Sequence, residues 1–258
     1  MKADPDKCIA CKRCFPYCPM GRIQSFKKHD NIHGRVYIEI DQEACTDCGV
    51  CLRAGICPVN ALYQQEETWP REVRGMLSNP LIEFPGSQVP GRGTEEMKTN
   101  DVKGTFLPGE VGIGIELGRP GIGAYFRDVE KVAMAMMAGG IGYELALENP
   151  VTHFMSDKTT GKLRDDVVGE KATSAIIEGK CKLEKLPRAI EVLKRWRKKW
   201  TRFLRWKSSP RCRPKGTSPS FRFSKNTTSG TRSTARTIWA WGYRASSSTR
   251  IRSNRRKS

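Results

Sequence analysis

In three stretches of the chain, apolar and polar positions alternate with the period of a strand; in two others, apolar positions recur with the period of a helix. In VGIGIEL, Val111, Ile113, Ile115 and Leu117 alternate with Gly112, Gly114 and Glu116, which predicts a strand with one apolar face. The turn GRPGIGAY follows. Phe126, Val129, Val132, Ala133 and Met136 then recur at helical spacing, and Gly139 and Gly140 end that helix. Tyr143, Leu145 and Leu147 alternate with Glu144 and Glu148 as a second strand. The polar run SDKTTGKLRDDVVGEKATS reads as a loop. Ile177, Gly179, Cys181 and Leu183 form a third strand. Leu186, Ala189, Ile190 and Leu193 mark a second helix, with Pro187 tolerated in its first turn. The order β-α-β-β-α needs one more strand to complete a split β-α-β plait. That strand is expected just after Arg195.

The first 65 residues are punctuated differently, by cysteine. CIACKRCFPYCP places Cys8, Cys11 and Cys14 at steps of three, then Cys18 before Pro19. CTDCGVCLRAGICPVNAL repeats this with Cys45, Cys48, Cys51 and Cys57 before Pro58, offset by 37 residues. Asp4 and Asp41 stand four positions before the first cysteine of each run. The repeat resembles the bacterial ferredoxins with two [4Fe-4S] clusters. The resemblance implies a crossed ligand set: Cys8, Cys11, Cys14 and Cys57 on one cluster, and Cys45, Cys48, Cys51 and Cys18 on the other. It also implies an electron carrier of low potential. The second run departs from the family in having five residues, LRAGI, between its third and fourth cysteines. Ile9, Phe15, Tyr17, Val50, Ile56 and Leu62 are expected to exclude water from the clusters.

Structural zinc and disulfides are the competing readings. Zinc sites do not habitually use three cysteines at one step with two Cys-Pro endings, and disulfides require a secreted chain. MKADPDK has no apolar core, and no apolar run reaches the ~18 residues of a membrane span. A reducing cytoplasm, the setting of an anaerobe's metabolism, is expected, with no membrane partner.

Charge changes the picture only at the end of the chain. The 258 residues carry a formal net charge of +19, but residues 1–194 hold 26 Lys/Arg against 27 Asp/Glu. Residues 195–258 hold 20 Lys/Arg, no acid, 20 Ser/Thr and five of the six tryptophans. A nucleic-acid arm, a disordered extension and a shifted reading frame all account for this. Back-translation of RWRKKWTRFLRW permits an acidic turn and an apolar strand in the shifted frame, so a frameshift near Arg195 is the favoured expectation. No specific nucleic-acid partner is expected.

Residues 66–108 are rich in Pro and Gly and read as a connector, with a short helix around REVRGML; PGRGTEE reads as either an anion nest or a plain turn. The run from ELGRPGIGAY to GGIGYELAL also resembles an ACT domain, through Pro120-Gly121 and Gly140-Ile141. That resemblance implies pairing into homodimers and a small-molecule site at Gly118, Arg119, Gly121 and Gly123; these glycines equally serve to make the turn. Met134, Met136 and Met137 read as helix core, His29, His33 and His153 as surface or hairpin residues, and Cys181 as a buried small hydrophobe.

The expected fold class is α+β. A pseudo-twofold dicluster ferredoxin domain spans 1–66 and the connector 67–108. A βαββαβ, ACT-like plait without a proper last strand spans 109–200, and a disordered basic tail 201–258. The expected function is single-electron transfer to or from a redox partner protein. The alternative is an electron-feeding or metabolite-sensing subunit of an oxidoreductase complex whose active site lies on another chain.

Overall fold

A computed structural model describes residues 1–21, 23–85, 89–90, 106–118, 123–199 and 204–210. The cysteine repeat forms a small unit framed by two antiparallel ribbons. In one, β1 (Lys2–Ala3) pairs with β4 (Leu62–Tyr63). In the other, β2 (Gln24–Lys28) pairs with β3 (Val36–Ile40), placing Phe26 opposite Ile38. Between β3 and β4 lies one turn of helix, α1 (Val50–Arg53). Met1, Ile38, Ile40, Ala61 and Leu62 form the core of this unit together with Cys8, Cys14 and Cys45.

The second unit is built on a four-stranded antiparallel sheet. Its central strands are β7 (Glu110–Leu117) and β13 (Ala175–Lys182), paired from Ala175 opposite Leu117 to Lys182 opposite Glu110. The short β9 (Glu144–Leu145) lies on the far side of β13. Helices α3 (Phe126–Met137) and α4 (Leu186–Lys199) pack on one another and on the sheet. The five apolar positions of α3 read from its periodicity are all buried, as are Leu186, Ala189, Ile190 and Leu193 of α4. Gly140 takes a left-handed φ of 67° just past α3, where a side chain would be strained.

Several expectations are corrected. The last strand exists: β14 (Leu204–Pro210) pairs with β7, Leu204 opposite Leu117 and Pro210 opposite Val111. The sheet order is thus β14-β7-β13-β9 in a complete β-α-β-β-α-β succession. An edge strand needs backbone hydrogen bonds on one side only, which β7 supplies here. The argument for a frameshift from a missing strand therefore falls. In the encoded frame α4 continues through Lys199, with Trp196 packed against the core. Residues 211–258, the bulk of the expected disordered tail, lie outside the described residues, as do residues 91–96 of PGRGTEE.

β7 is buried on both faces, not one. A Cβ on Gly112 would lie 2.4 Å from the Phe106 ring, so the glycine face of the strand is covered by the segment just before it. The second strand is only two residues long and Leu147 is exposed. The expected loop holds a hairpin of β10 (Met155–Asp157) with β11 (Lys162–Leu163). It also holds β12 (Lys171–Ala172), which pairs with β8 (Ala124–Tyr125). Polar composition hid this because few apolar residues, among them the fully buried Leu163, Val167 and Ala172, carry the packing.

The connector is more than a linker. Its helix α2 (Glu72–Ser78) lies where REVRGML predicts one. Val73 and Leu77 join the core of the second unit, while Arg74 turns to the cysteine unit. Beyond it, β5 (Glu83–Phe84) pairs with β6 (Val89–Pro90).

Candidate metal centre

The two cysteine loops begin alike because the aspartate before each makes the same turn. The Cys8 N–H donates to the Asp4 carbonyl at 2.9 Å, and the Cys45 N–H to that of Asp41 at 3.0 Å. Each aspartate also accepts, through Oδ1, the N–H two residues on, from Asp6 and Glu43, both at 2.9 Å. This is an Asx-turn, so the spacing of Asp to Cys has a local cause. Left-handed residues then curl both loops at equivalent places: Ala10 (φ 53°) and Lys12 (φ 64°) in the first, Asp47 (φ 51°) and Gly49 (φ 66°) in the second.

The fourth cysteines separate from their own loops. Cys8, Cys11 and Cys14 line one cavity, and the thiol that joins them there is Cys57; Ile38, Ile56, Val59 and Leu62 complete its apolar wall. Backbone donors reach sulfur in this set, from Ile38 N–H to Cys8 Sγ at 3.4 Å and from Ala61 N–H to Cys57 Sγ at 3.2 Å. Cys18 is close enough to the second loop for its thiol to feel the charge of Cys48. Cys51 feels both Cys48 and Cys18.

Burial raises the thiols of Cys18 and Cys51, with those neighbouring sulfurs adding to it. Burial likewise pushes Cys14 up to about 11, helped by Cys51, Cys8 and Cys11, and Cys45 up to about 11, helped by the Asp47 carboxylate. Near neutral pH thiols held this way stay protonated, and a coordinating metal favours the thiolate. The donor set is all sulfur, and soft thiolates select iron–sulfur clusters, zinc or copper(I). A lone tetrahedral zinc with Zn–S near 2.3 Å draws its sulfurs to about 3.8 Å from one another. Among the described residues no three Cys, His, Asp or Glu side chains converge as the ligands of one ion would.

The surroundings of the two loops differ sharply. From Cys45 to Gly49 every residue is buried, whereas Ile9, Cys11, Lys12 and Arg13 of the first loop are exposed. Thr46 is 1% exposed and its equivalent Ile9 is 56% exposed. Ile9 lines the first cavity as expected but leaves much of its own side chain in solvent, whereas Tyr17 is exposed and does not line that cavity. Leu62 does, and Phe15, Val50 and Ile56 are half-buried.

What covers the second loop comes from the connector and the sheet unit. Arg74, 3% exposed, donates through Nη1 to the carbonyls of Gln42 (2.8 Å) and Cys45 (2.9 Å), and its Nε pairs with Glu170 at 2.5 Å. Lys171 Nζ donates to the Ala44 carbonyl at 3.3 Å, and the Thr46 and Thr173 hydroxyls are 3.0 Å apart. Asp47 is held by the Met1 ammonium and by Arg71 Nη2 at 3.0 Å. The longer spacing between Cys51 and Cys57 has a use here: its Arg53 donates to the Cys48 carbonyl (2.8 Å) and to Asn79 Oδ1 at the end of α2 (2.7 Å).

None of these cations stands out in the sequence. The available signal is Arg71 and Arg74 at i,i+3 in a short helix whose other face is apolar. At the expected small-molecule turn, Gly118 (φ 84°) and Gly123 (φ 67°) are left-handed, and a Cβ on Gly118 would sit 2.5 Å from the Gly123 carbonyl carbon. Arg119 and Gly121 lie outside the described residues. Cys181 is buried away from both loops on β13, Met136 is core and Met134 is exposed. His29 Nε2 meets Asp6 in the β2–β3 hairpin, and His153 packs edge-on against Phe84.

A family model described as a 4Fe-4S dicluster domain matches residues 7–61. The chain is 41% identical over 64 residues to the pyruvate synthase subunit PorD of Methanothermobacter marburgensis, covering 25% of this chain and 63% of that one. It is 42% identical over 59 residues to an uncharacterized ferredoxin of Methanocaldococcus jannaschii, covering 23% of this chain and 69% of that one. It is 42% identical over 55 residues to a component of an ion-translocating oxidoreductase complex of Methanosarcina acetivorans, covering 21% of this chain and 17% of that one. No solved structure matches. The chain thus spans a little under two thirds of the first of these relatives. Two [4Fe-4S] clusters are its cofactors. No helix among the described residues is long and apolar enough to cross a membrane.

Proposed function

Since the chain belongs, through residues 7–61, to the 4Fe-4S dicluster ferredoxins, we propose that it passes single electrons between redox partners through two clusters held by exchanged cysteines. Cys8, Cys11, Cys14 and Cys57 hold one cluster; Cys45, Cys48, Cys51 and Cys18 hold the other. The observation that carries this is the company of the fourth cysteines: Cys57 lines the cavity of the first triplet, and Cys18 lies within electrostatic reach of Cys48 and Cys51. When bound, each cluster supplies a one-electron redox centre. The chain's own residues hold it by sulfur, direct N–H groups at Cys8 and Cys57, and exclude water with Ile38, Ile56 and Leu62.

A second reading is that the chain is a fixed electron-feeding subunit of an oxidoreductase in a reducing cytoplasm. Two relatives that are themselves parts of such enzymes favour it, as does the covering of the second loop by the sheet unit. A metabolite-sensing role for the sheet unit, and a homodimer through it, stay as extensions of this reading.

The test is anaerobic reconstitution followed by reductive titration. About eight irons and eight sulfides per chain, and uptake of about two electrons, are expected of two cubic clusters. Zinc in place of iron, or uptake of no electrons by an iron-loaded chain, overturns the proposal.

A further inference from the structure

Nothing in the cysteine pattern says where electrons enter or leave, because the two runs are near copies. The fold makes them unequal. The second loop is sealed by Arg74, Lys171, Thr173 and Arg53, while Ile9, Cys11, Lys12 and Arg13 of the first loop face solvent. Transfer between proteins falls off steeply with the thickness of the barrier, so a partner gains most by docking where a cluster ligand is itself exposed. Cys11 is exposed; its equivalent Cys48 is buried.

The surface around Cys11 has the make-up of a small docking patch. Ile9 is 56% and Phe26 50% exposed, and Phe26 rests 6.1 Å from Phe15, which follows Cys14 directly. Lys12 lies with its ammonium 5.0 Å from the centre of the Phe26 ring, and Arg13 is exposed beside it. Neither cation is in an ion pair among the described residues, whereas the neighbouring Lys7 and Lys27 are taken up by Asp4 and Glu39. Two apolar anchors with two unneutralised cations at their margin fit a partner that presents an apolar spot rimmed by carboxylates.

We propose that the Ile9–Arg13 loop, with Phe26, is the chain's electron port, and that its partner is an acidic redox protein. This rests on the cluster reading above and adds which end is used and by what kind of surface. In the forward direction one electron leaves the reduced chain and reduces one metal centre of the acidic partner; no bond forms or breaks.

The experiment uses the full chain with both clusters reconstituted, reduced by dithionite and freed of excess reductant. It is mixed in a stopped-flow cell with an acidic two-cluster ferredoxin and, separately, with a basic c-type cytochrome, and cluster oxidation is followed at several salt concentrations. The acidic protein is expected to be reduced faster at low salt, with a rate that falls as salt is raised. Lys12→Glu with Arg13→Glu is expected to slow it roughly ten-fold while iron content is unchanged. Because the C-terminal region is also basic, Arg255→Glu with Arg256→Glu serves as the control and is expected to change the rate less than two-fold.

If the loop variant loses iron, Lys12→Gln with Arg13→Gln is measured in its place. The salt series on the unaltered chain is read independently of either variant. Equal slowing by the loop and tail variants, no slowing by the loop variant, or preference for the basic cytochrome overturns the port. Failure of the unaltered chain to hold about eight irons is a separate result, and strikes the cluster reading instead.

Discussion

Removing Arg74 tests whether the connector helix holds the second cysteine loop in place. Its guanidinium is nearly inaccessible and serves two units at once: the Gln42 and Cys45 carbonyls on one side, the Glu170 carboxylate on the other. Arg74→Ala leaves Glu170, in a largely buried pair, without its cation, and leaves two loop carbonyls short of donors. Breaking a buried ion pair from one side costs about 3–5 kcal/mol. The unmet carbonyls fall within that range rather than adding to it, since water can enter the space. If half of the loss appears in the rate at which the loop opens, that rate rises roughly ten- to seventy-fold, at about 1.4 kcal/mol per decade.

The assay is anaerobic loss of the visible cluster absorbance under a fixed chelator and moderate urea, resolved into its two phases. The phase belonging to the second triplet should accelerate and the other should not. Arg74→Lys, which keeps the charge but not the fork, should fall between. Equal acceleration of both phases, or a change below two-fold in either, would refute the claim that this arginine anchors the loop.

Four further outcomes follow from the packing. Gly49→Ala should lower the yield of the second cluster, because φ is 66° there and a Cβ would lie 2.6 Å from Arg53 Nη1; the same change at Gly34, which has open space, should have less effect on cluster yield. Val132→Ala, at a fully buried position of α3, should destabilise the sheet unit by about 1–3 kcal/mol in urea unfolding while leaving iron content intact. Gly112→Val should be worse tolerated than its strand position suggests, because its face of β7 is filled by Phe106; a rise in the temperature of unfolding would contradict the contact. Burial, and secondarily the Glu110 carboxylate, pushes the Cys181 thiol up to about 11. The folded chain therefore keeps a proton that the unfolded chain loses near 9.0, so stability falls as pH rises from there toward about 11. Cys181→Ala should remove that part of the pH slope in denaturant titrations without altering iron content.

How much of this is legible in the sequence depends on how local its cause is. The stripe Phe126, Val129, Val132, Ala133 and Met136 is legible because a helix buries whatever recurs every three to four positions, and all five are buried. The cysteine runs are legible because an Asx-turn, a fixed step and a proline are each local. Long-range causes hide the rest. Alternation in VGIGIEL indicates one apolar face, but whether Phe106 folds over the glycine face depends on tertiary packing. Thr46 and Asp47 are polar yet buried, because Thr173, Met1 and Arg71 meet them from elsewhere in the chain. The β12–β8 pairing joins residues some 47 apart, with no periodicity to announce it. The last strand is hidden for the opposite reason: the charge of a basic segment argues against a place in a sheet, while an edge strand is satisfied chiefly through its backbone.

The exchange of cysteines is the centre of the account, and differential alkylation tests it most directly. Cys18→Ala is reconstituted anaerobically, treated with iodoacetamide in the folded state and mapped by mass spectrometry. Cys45, Cys48 and Cys51, having lost their fourth ligand, should be labelled, while Cys8, Cys11, Cys14 and Cys57 stay protected by an intact cluster. Labelling of Cys8, Cys11 and Cys14 with protection of Cys45, Cys48 and Cys51 would contradict it.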